Sequence, residues 1–426
     1  MAINRRQFIK RSLGAVSVGL VLPRLFLEDA RAGQIPAAGS SRKIFVVIQL
    51  AGGNDGLNTI VPYSDSNYHN LRPRIGFQDS ELASTMIDGQ FAFHPSMTSL
   101  KTLYDAGRVA IVLGVGYPNP LLSHFTSMDV WHTASPTGGQ AEGWLGKYAD
   151  VALASSSSFN AASVGSVLPK TFFSDKVVIP NISTFANYQF LTDSKYPGDK
   201  NNQTATFNTD FSRTFPLGSF AQELTSTGSD AVAGASLIQS SITSYSSSVT
   251  YPNSPIASGL KMLAQIITTV PTADLLYAEM GGFDNHSSQI GTNANPDDRL
   301  SGDHATLLQQ FSDGVKAFYD DLTAHSLADD VVIMTWSEFG RRVNDNASNG
   351  TDHGTASPLF VIGNPVAGGA FYGTQPSLAP TSLDSAGNMK FTVDFRSVYA
   401  TILDKWLGAD SASVLGQPFP DLGFLG

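Results

Sequence analysis

The feature that most constrains this chain is a repeated pairing of a short apolar run with a polar, glycine-containing turn. The run Ile44 to Leu50 leads into Gly-Gly-Asn-Asp-Gly, Gly52 to Gly56. Leu275 to Met280 leads into Gly-Gly-Phe-Asp-Asn-His, Gly281 to His286. Val331 to Thr335 leads through Trp336 into Ser-Glu-Phe-Gly-Arg-Arg, Ser337 to Arg342, and Thr-Asp-His-Gly follows at Thr351 to Gly354. Apolar runs without polar alternation suit strands covered on both faces, as in parallel sheets. Ligands of open α/β sheets gather at the carboxyl ends of the strands. If these runs are neighbouring parallel strands, Asp55, Asp284, His286, Glu338 and His353 converge. Carboxylates and imidazoles gathered in that way form the donor set of a divalent metal ion.

The rest of the chain supplies the helices such a sheet needs. Pro95 to Ala106 places Met97, Leu100, Leu103 and Tyr104 at helical spacing, and Gly107 stops the helix. Arg108 to Leu113 reads as a strand, followed by a Gly/Pro loop from Gly114 to Leu122. Ser123 can then cap a helix over Ser123 to His132. Residues 155–255 are rich in Ser, Thr, Asn and Gly and read as an insertion of short strands and loops, a cap over the site. Helical patterns return at Ser254 to Val270, Ala305 to Ala324 and Phe395 to Leu407, with a further strand at Leu359 to Ile362. The expected fold class is α/β, a mostly parallel sheet with helices on both faces. A length of 426 residues is ample for one such domain over 43–426, and 42% hydrophobic with 15% charged residues marks a globular chain.

Residues 1–32 read as an export signal. Asn4-Arg5-Arg6-Gln7-Phe8-Ile9-Lys10 is a twin-arginine motif, a mildly apolar stretch runs from Leu13 to Leu22, and Ala30-Arg31-Ala32 offers a cleavage site. The apolar stretch is too short to span a membrane, so the mature chain is expected to have no transmembrane segment. Residues 33–42 form a flexible leader, and the expected destination is the periplasm or beyond. Removing six basic and two acidic residues takes the chain from 26 and 36 to 20 and 34, a net charge of −14. Such a balance argues against nucleic acid and anionic membrane as partners. An anionic substrate stays open, because a bound cation can reverse the local field. The absence of cysteine excludes disulfides, thiolate-bound zinc and a thiol nucleophile.

Each candidate also has a plainer reading. Asp55 between Asn54 and Gly56 suits a turn. Asp284 and His286 suit a hydrogen-bonded loop, or an oxygen and a nitrogen donor for one ion. Glu338 follows an apolar strand, where a carboxylate needs a partner, and Arg341 or Arg342 could pair with it. Ser123 suits a helix cap, or a nucleophile at a helix N-terminus. His124 beside it suits a metal ligand, a general acid or an exposed position. Ser96 in His94-Pro95-Ser96 is a second nucleophile candidate.

The order of these motifs resembles the alkaline-phosphatase and sulfatase superfamily. Asp55-Gly56 resembles its first metal-binding Asp, and Ser123 its helix-capping nucleophile, in the style of the cofactor-independent phosphoglycerate mutases. Asp284 and His286 resemble its Asp and His ligands, and His353 to Gly363 its final metal His and following strand. Closer still, the chain is similar to an exported bacterial family catalogued as domain of unknown function 1501. The marks are Leu50 to Asn58, Gly116-Tyr117-Pro118, Ser123-His124-Phe125, Gly143-Trp144-Leu145-Gly146, Gly282 to His286, Ser337 to Arg341 and Asp352-His353-Gly354. Where the superfamily has Asp-His after a strand, this chain has Glu338-Phe339, which favours one ion over two.

The resemblance implies an exported metal-dependent hydrolase of phosphate or sulfate esters. Ser123 would attack, with His124 as ligand or acid. Asp55, Asp284, His286, Glu338 and His353 would hold a divalent metal ion (zinc, manganese or calcium), and Arg341 would hold substrate oxygens. The alternative is a non-catalytic envelope protein that binds or assembles with an exported protein partner on a degenerate scaffold. A carbohydrate-directed protein is a third reading.

Overall fold

The computed structural model describes residues 42–153, 159–177, 179–186, 188, 197–216 and 219–426. The expected signal and all but the last residue of the leader lie outside them. The strands are β1 (Ile44–Leu50), β2 (Ile60–Val61), β3 (Ala92–Phe93), β4 (Val109–Gly116), β5 (Ala161–Val164), β6 (Asn181–Ile182), β7 (Leu275–Met280), β8 (Val331–Trp336), β9 (Ser357–Ile362), β10 (Ala370–Tyr372) and β11 (Val393–Asp394). Nine of them form one sheet in the order β10-β4-β9-β8-β1-β7-β5-β6, with β11 also on β4. Strands β2 and β3 pair separately.

All pairings in the large sheet are parallel except those of β9, which runs antiparallel to both β4 and β8. The sheet is therefore mixed, and the run at Leu359 to Ile362 opposes its neighbours. Antiparallel neighbours need no crossover helix, and the 337–356 segment returns directly from β8 into β9. The reversal puts the start of β9 at the edge where β1, β7 and β8 end, and His353 arrives there with it.

Strand β1 explains why its run is unbroken. Ile44, Val46, Ile48 and Leu50 face one core and Phe45 and Val47 the other, so neither face meets water. Helices Thr98–Asp105, Pro255–Thr269 and Asp303–Ala324 contribute to the first core. Helices His124–Thr133, Trp144–Ala152 and Phe395–Thr401 contribute to the second. A third, smaller core lies among the strand-end loops, from Leu57, Tyr68, Phe77, Val343, Ala356 and Met389.

Residues 155–255 differ from expectation. Their short strands β5 and β6 extend the large sheet, and helices Lys200–Phe211 and Phe220–Ser244 stand where loops were expected. The segment is tied down at its end. The Tyr251 hydroxyl (2.8 Å) and the Ser247 hydroxyl (2.5 Å) donate to the fully buried carboxylate of Asp321, and the Tyr245 hydroxyl donates there too. No helix among the described residues is long and apolar enough to cross a membrane.

Candidate metal centre

Strands β1, β7 and β8 are parallel neighbours, so their following loops meet at one edge. Strand β4 shares that direction, since β9 opposes both it and β8. The loops are in contact through glycine. Gly52 has φ +121°, and a Cβ there would lie 2.4 Å from the Asp284 amide nitrogen. At Gly53, φ +75°, a Cβ would meet the Phe339 ring at 2.3 Å. Only glycine permits both the backbone angle and the approach. The 338–342 segment also pairs with 352–355, through Gly340 N–H to Thr355 (2.7 Å) and Arg342 N–H to Asp352 (2.9 Å).

Three imidazoles surround the Asp284 carboxylate. His124 Nδ1 lies 2.7 Å from Glu338 Oε1, His353 Nδ1 2.8 Å from the Leu122 carbonyl oxygen, and His286 Nδ1 3.1 Å from Asp352 Oδ1. Carbonyls and ionised carboxylates only accept, so each Nδ1 carries the proton. In the neutral ring Nε2 then has the lone pair. His353 Nε2 and His286 Nε2 each stand 3.2 Å from Asp284 Oδ1, and His124 Nε2 stands 3.5 Å from Oδ2. A lone pair against a carboxylate oxygen is repulsive unless a proton or a cation lies between them. His124 Nε2 is buried with no hydrogen-bond partner at all. One ligand atom each from His124, Asp284 and His353 lies within 4.8 Å of the others. Two imidazoles and a carboxylate fit a divalent transition metal.

The electrostatics set a proton and a cation in competition for His124 Nε2. The hydrogen bond to Glu338 raises the His124 pKa, and burial opposes it without cancelling it. Burial alone would raise the Asp284 carboxyl, but the hydrogen bond and positive charge of Arg341 outweigh it and hold the pKa at about 2. Asp284 is thus an anion at any ordinary pH.

The structure distributes the other expected ligands differently. Asp55 is buried away from the group. Its Oδ2 accepts from Arg72 and Gln289, both at 2.6 Å, and its Oδ1 accepts from Arg72 at 2.9 Å. That guanidinium supplies the positive charge a buried carboxylate requires. Glu338 is 1% exposed and sits behind His124, accepting also from Gly52 N–H at 2.9 Å, so it orients that imidazole and does not itself join the group. His286 touches Asp284 but falls outside the mutual group of three. His124 falls within it.

Arg341 is corrected as well. It is 2% exposed, and its donors go to the carbonyls of Gly52, Gly53, Phe283 and Thr351 and to Asp284 Oδ1 at 2.7 Å. It clamps three loops and holds Asp284, and those donors are not available to substrate oxygens. Ser123 caps the His124–Thr133 helix without a side-chain capping bond, between Leu122 and His124. Ser96 follows buried His94, whose Nδ1 accepts the Ser96 N–H and whose ring packs on Phe77 and His304. Asp352 was legible within Thr-Asp-His-Gly but not as the partner of His286. Arg72, Gln289 and His304 gave no sequence signal, because they reach Asp55 or Asn54 from 17, 234 and 250 residues away and meet them only through folding.

Residues 261–417 match the family described as "Protein of unknown function (DUF1501)". The resemblance read from the motifs is borne out over that span. No curated protein matches the sequence. Among solved structures, Ps i-CgsB in complex with k-i-k-neocarrahexaose is 10% identical over 90% of this chain and 74% of that chain, with a TM-score of 0.41. The PsFucS1 sulfatase from Pseudoalteromonas sp. is 10% identical over 100% and 75%, TM-score 0.34. A protein in the alkaline phosphatase superfamily from Vibrio parahaemolyticus is 12% identical over 77% and 62%, TM-score 0.32. The fold class rests on the chain's own strand order and pairing.

Proposed function

We propose that this chain, with its DUF1501 match, is a metal-dependent hydrolase of phosphate or sulfate esters. The observation that carries the reading is the buried, unpartnered Nε2 of His124, facing Asp284 beside His353. His124, Asp284 and His353 would hold a divalent ion, which would supply positive charge to an ester oxygen. An anionic substrate is then compatible with an acidic chain.

The chain's own groups do the rest. Ser123 is the attacking hydroxyl. Its neighbours on either side are fixed, Leu122 by its carbonyl on His353 and His124 by Glu338. The free amides of the first helical turn, in a helix of 10 residues, face developing negative charge favourably. His286, half exposed and steadied by Asp352, lines the approach to Asp284. Arg341 and Glu338 keep Asp284 and His124 in place. The twin-arginine motif belongs to the same proposal, with the hydrolase working in the periplasm or outside the cell.

The test is a screen of aryl phosphate and aryl sulfate esters with zinc, manganese and calcium. Turnover should vanish with chelator and fall at least about 100-fold in Ser123→Ala and Asp284→Asn, the scale of losing a nucleophile or charge-stabilising group. Unchanged turnover in both variants sinks the proposal. One observation favours a second reading, a non-catalytic binding protein with an exported partner: Arg341 has its donors engaged within the protein. Bound metal without turnover of any ester would select that reading.

A further inference from the structure

From the donor set and its surroundings we infer that this edge of the sheet holds a single ion, of the zinc class, with Glu338 as the positioning residue that aims His124 at it. The inference rests on the reading that His124, Asp284 and His353 bind metal, and it adds the number, the class and the means of selection.

The number follows from charge. Three carboxylates lie at this edge in addition to Glu338, and one of them, Asp352, has its Oδ1 engaged by His286 Nδ1 at 3.1 Å and by Asn346. Asp284 faces the imidazoles. Asp55 is already neutralised by two hydrogen bonds from Arg72, with Gln289 on the same oxygen as one of them, and is 2% exposed. An ion at Asp55 would have to displace a buried guanidinium, whose uncompensated charge would then remain in the interior. One site is left.

The class follows from the donors. Two of the three are imidazole nitrogens, which suit zinc and its neighbours, whereas calcium and magnesium take oxygen shells. Three protein ligands leave an open position, as in catalytic zinc sites.

Selection comes from the outer partners. The Nδ1 of His124 is held by Glu338 and that of His353 by the Leu122 carbonyl. These bonds fix the tautomer and turn each Nε2 inward. Leu122 itself has φ +53°, a left-handed conformation rare for leucine, with its carbonyl spent on His353. The rotation of both rings is thus decided by the fold before any ion arrives, which favours a donor-specific ion over a loosely held one.

The experiment is metal binding, separate from turnover. Purified protein without a polyhistidine tag is stripped with chelator, then titrated with zinc and, in competition, with calcium and magnesium. Bound metal is counted by mass spectrometry. One zinc per chain, undisturbed by millimolar calcium or magnesium, is expected. Cobalt(II) in place of zinc should give the intense visible bands of a low-coordinate nitrogen-rich site. Glu338→Gln keeps the side-chain shape and should weaken zinc binding by about 10- to 100-fold with the stoichiometry unchanged. His353→Ala should lose stoichiometric binding. Circular dichroism establishes that both variants are folded; if Glu338→Gln is not, Glu338→Asp replaces it. Two ions per chain, preference for calcium, the weak bands of six-coordinate cobalt, or unaltered affinity in folded Glu338→Gln would overturn the inference. One tightly bound zinc without ester turnover would overturn only the hydrolase reading.

Discussion

A methyl group on Gly52 would sit 2.4 Å from the Asp284 amide nitrogen, on a backbone with φ +121°. Gly52→Ala therefore has two costs, the strained angle and a forced shift of the loop that carries Asp284. It should lower the stability by about 1–3 kcal/mol, read from urea denaturation, and weaken metal binding although Gly52 donates no ligand. A wild-type midpoint in Gly52→Ala would show that the two loops are not pressed together. Asp55 differs in kind. Asp55→Ala leaves Arg72 buried without its anion, which should cost about 3–5 kcal/mol of stability. Stability within about 0.5 kcal/mol of wild type would mean that Arg72 finds water or another partner.

At the scale of elements, the His124–Thr133 helix carries the site at one end and a pH liability at the other. His132 lies buried against the Trp336 and Tyr277 rings, and burial pushes its pKa down to about 4. Burial likewise holds His304, beside Asn54, at about 4. Below about pH 6.5 the unfolded chain takes up protons that these folded histidines refuse. Stability contributed by their neutral burial is thus complete above that pH and lost as pH falls toward 4. Stability should fall steadily between pH 7 and 5, by up to roughly 1.4 kcal/mol per pH unit for each histidine, and the melting temperature should fall with it. His132→Gln should flatten the curve. An identical pH dependence in that variant would locate the effect elsewhere.

The elements themselves were largely readable from the chain. The runs at β1, β7 and β8 agree with the observed strands to within a residue or two, because burial on both faces leaves no room for polar alternation. The direction of β9 was not readable, since a six-residue apolar strand looks the same either way round. Neither were the helices within 155–255. Their Ser, Thr, Asn and Gly content has low helix propensity, and packing of Lys200–Phe211 on Phe220–Ser244, and of the latter on Pro255–Thr269, overrides it.

Across the whole molecule, an ion held by His124, Asp284 and His353 would couple the site to the fold. An ion that binds only the folded chain stabilises it by mass action, about 2.7 kcal/mol at a free concentration 100 times the Kd. Zinc should raise the melting temperature of stripped protein, and chelator should reverse the gain. The same addition to His353→Ala should do nothing. Equal stabilisation of both proteins would mean that zinc acts at another place.

What the amino-acid sequence determined alone is local. Apolar runs of strand length, glycine turns directly after them and a capped helix at Ser123 follow from burial and backbone geometry within a few residues. They suffice to bring acids and imidazoles to one edge of a sheet. Which of those groups face one another was decided by the tertiary structure. Asp55 and Glu338 look like ligands in the chain, yet Arg72 claims the first from 17 residues away and His124 the second from 214. His124 joins Asp284 and His353, and Arg341 becomes a clamp, for the same reason. The partner that sets a buried charge's role is selected by contact in space, and spacing along the chain carries no record of it.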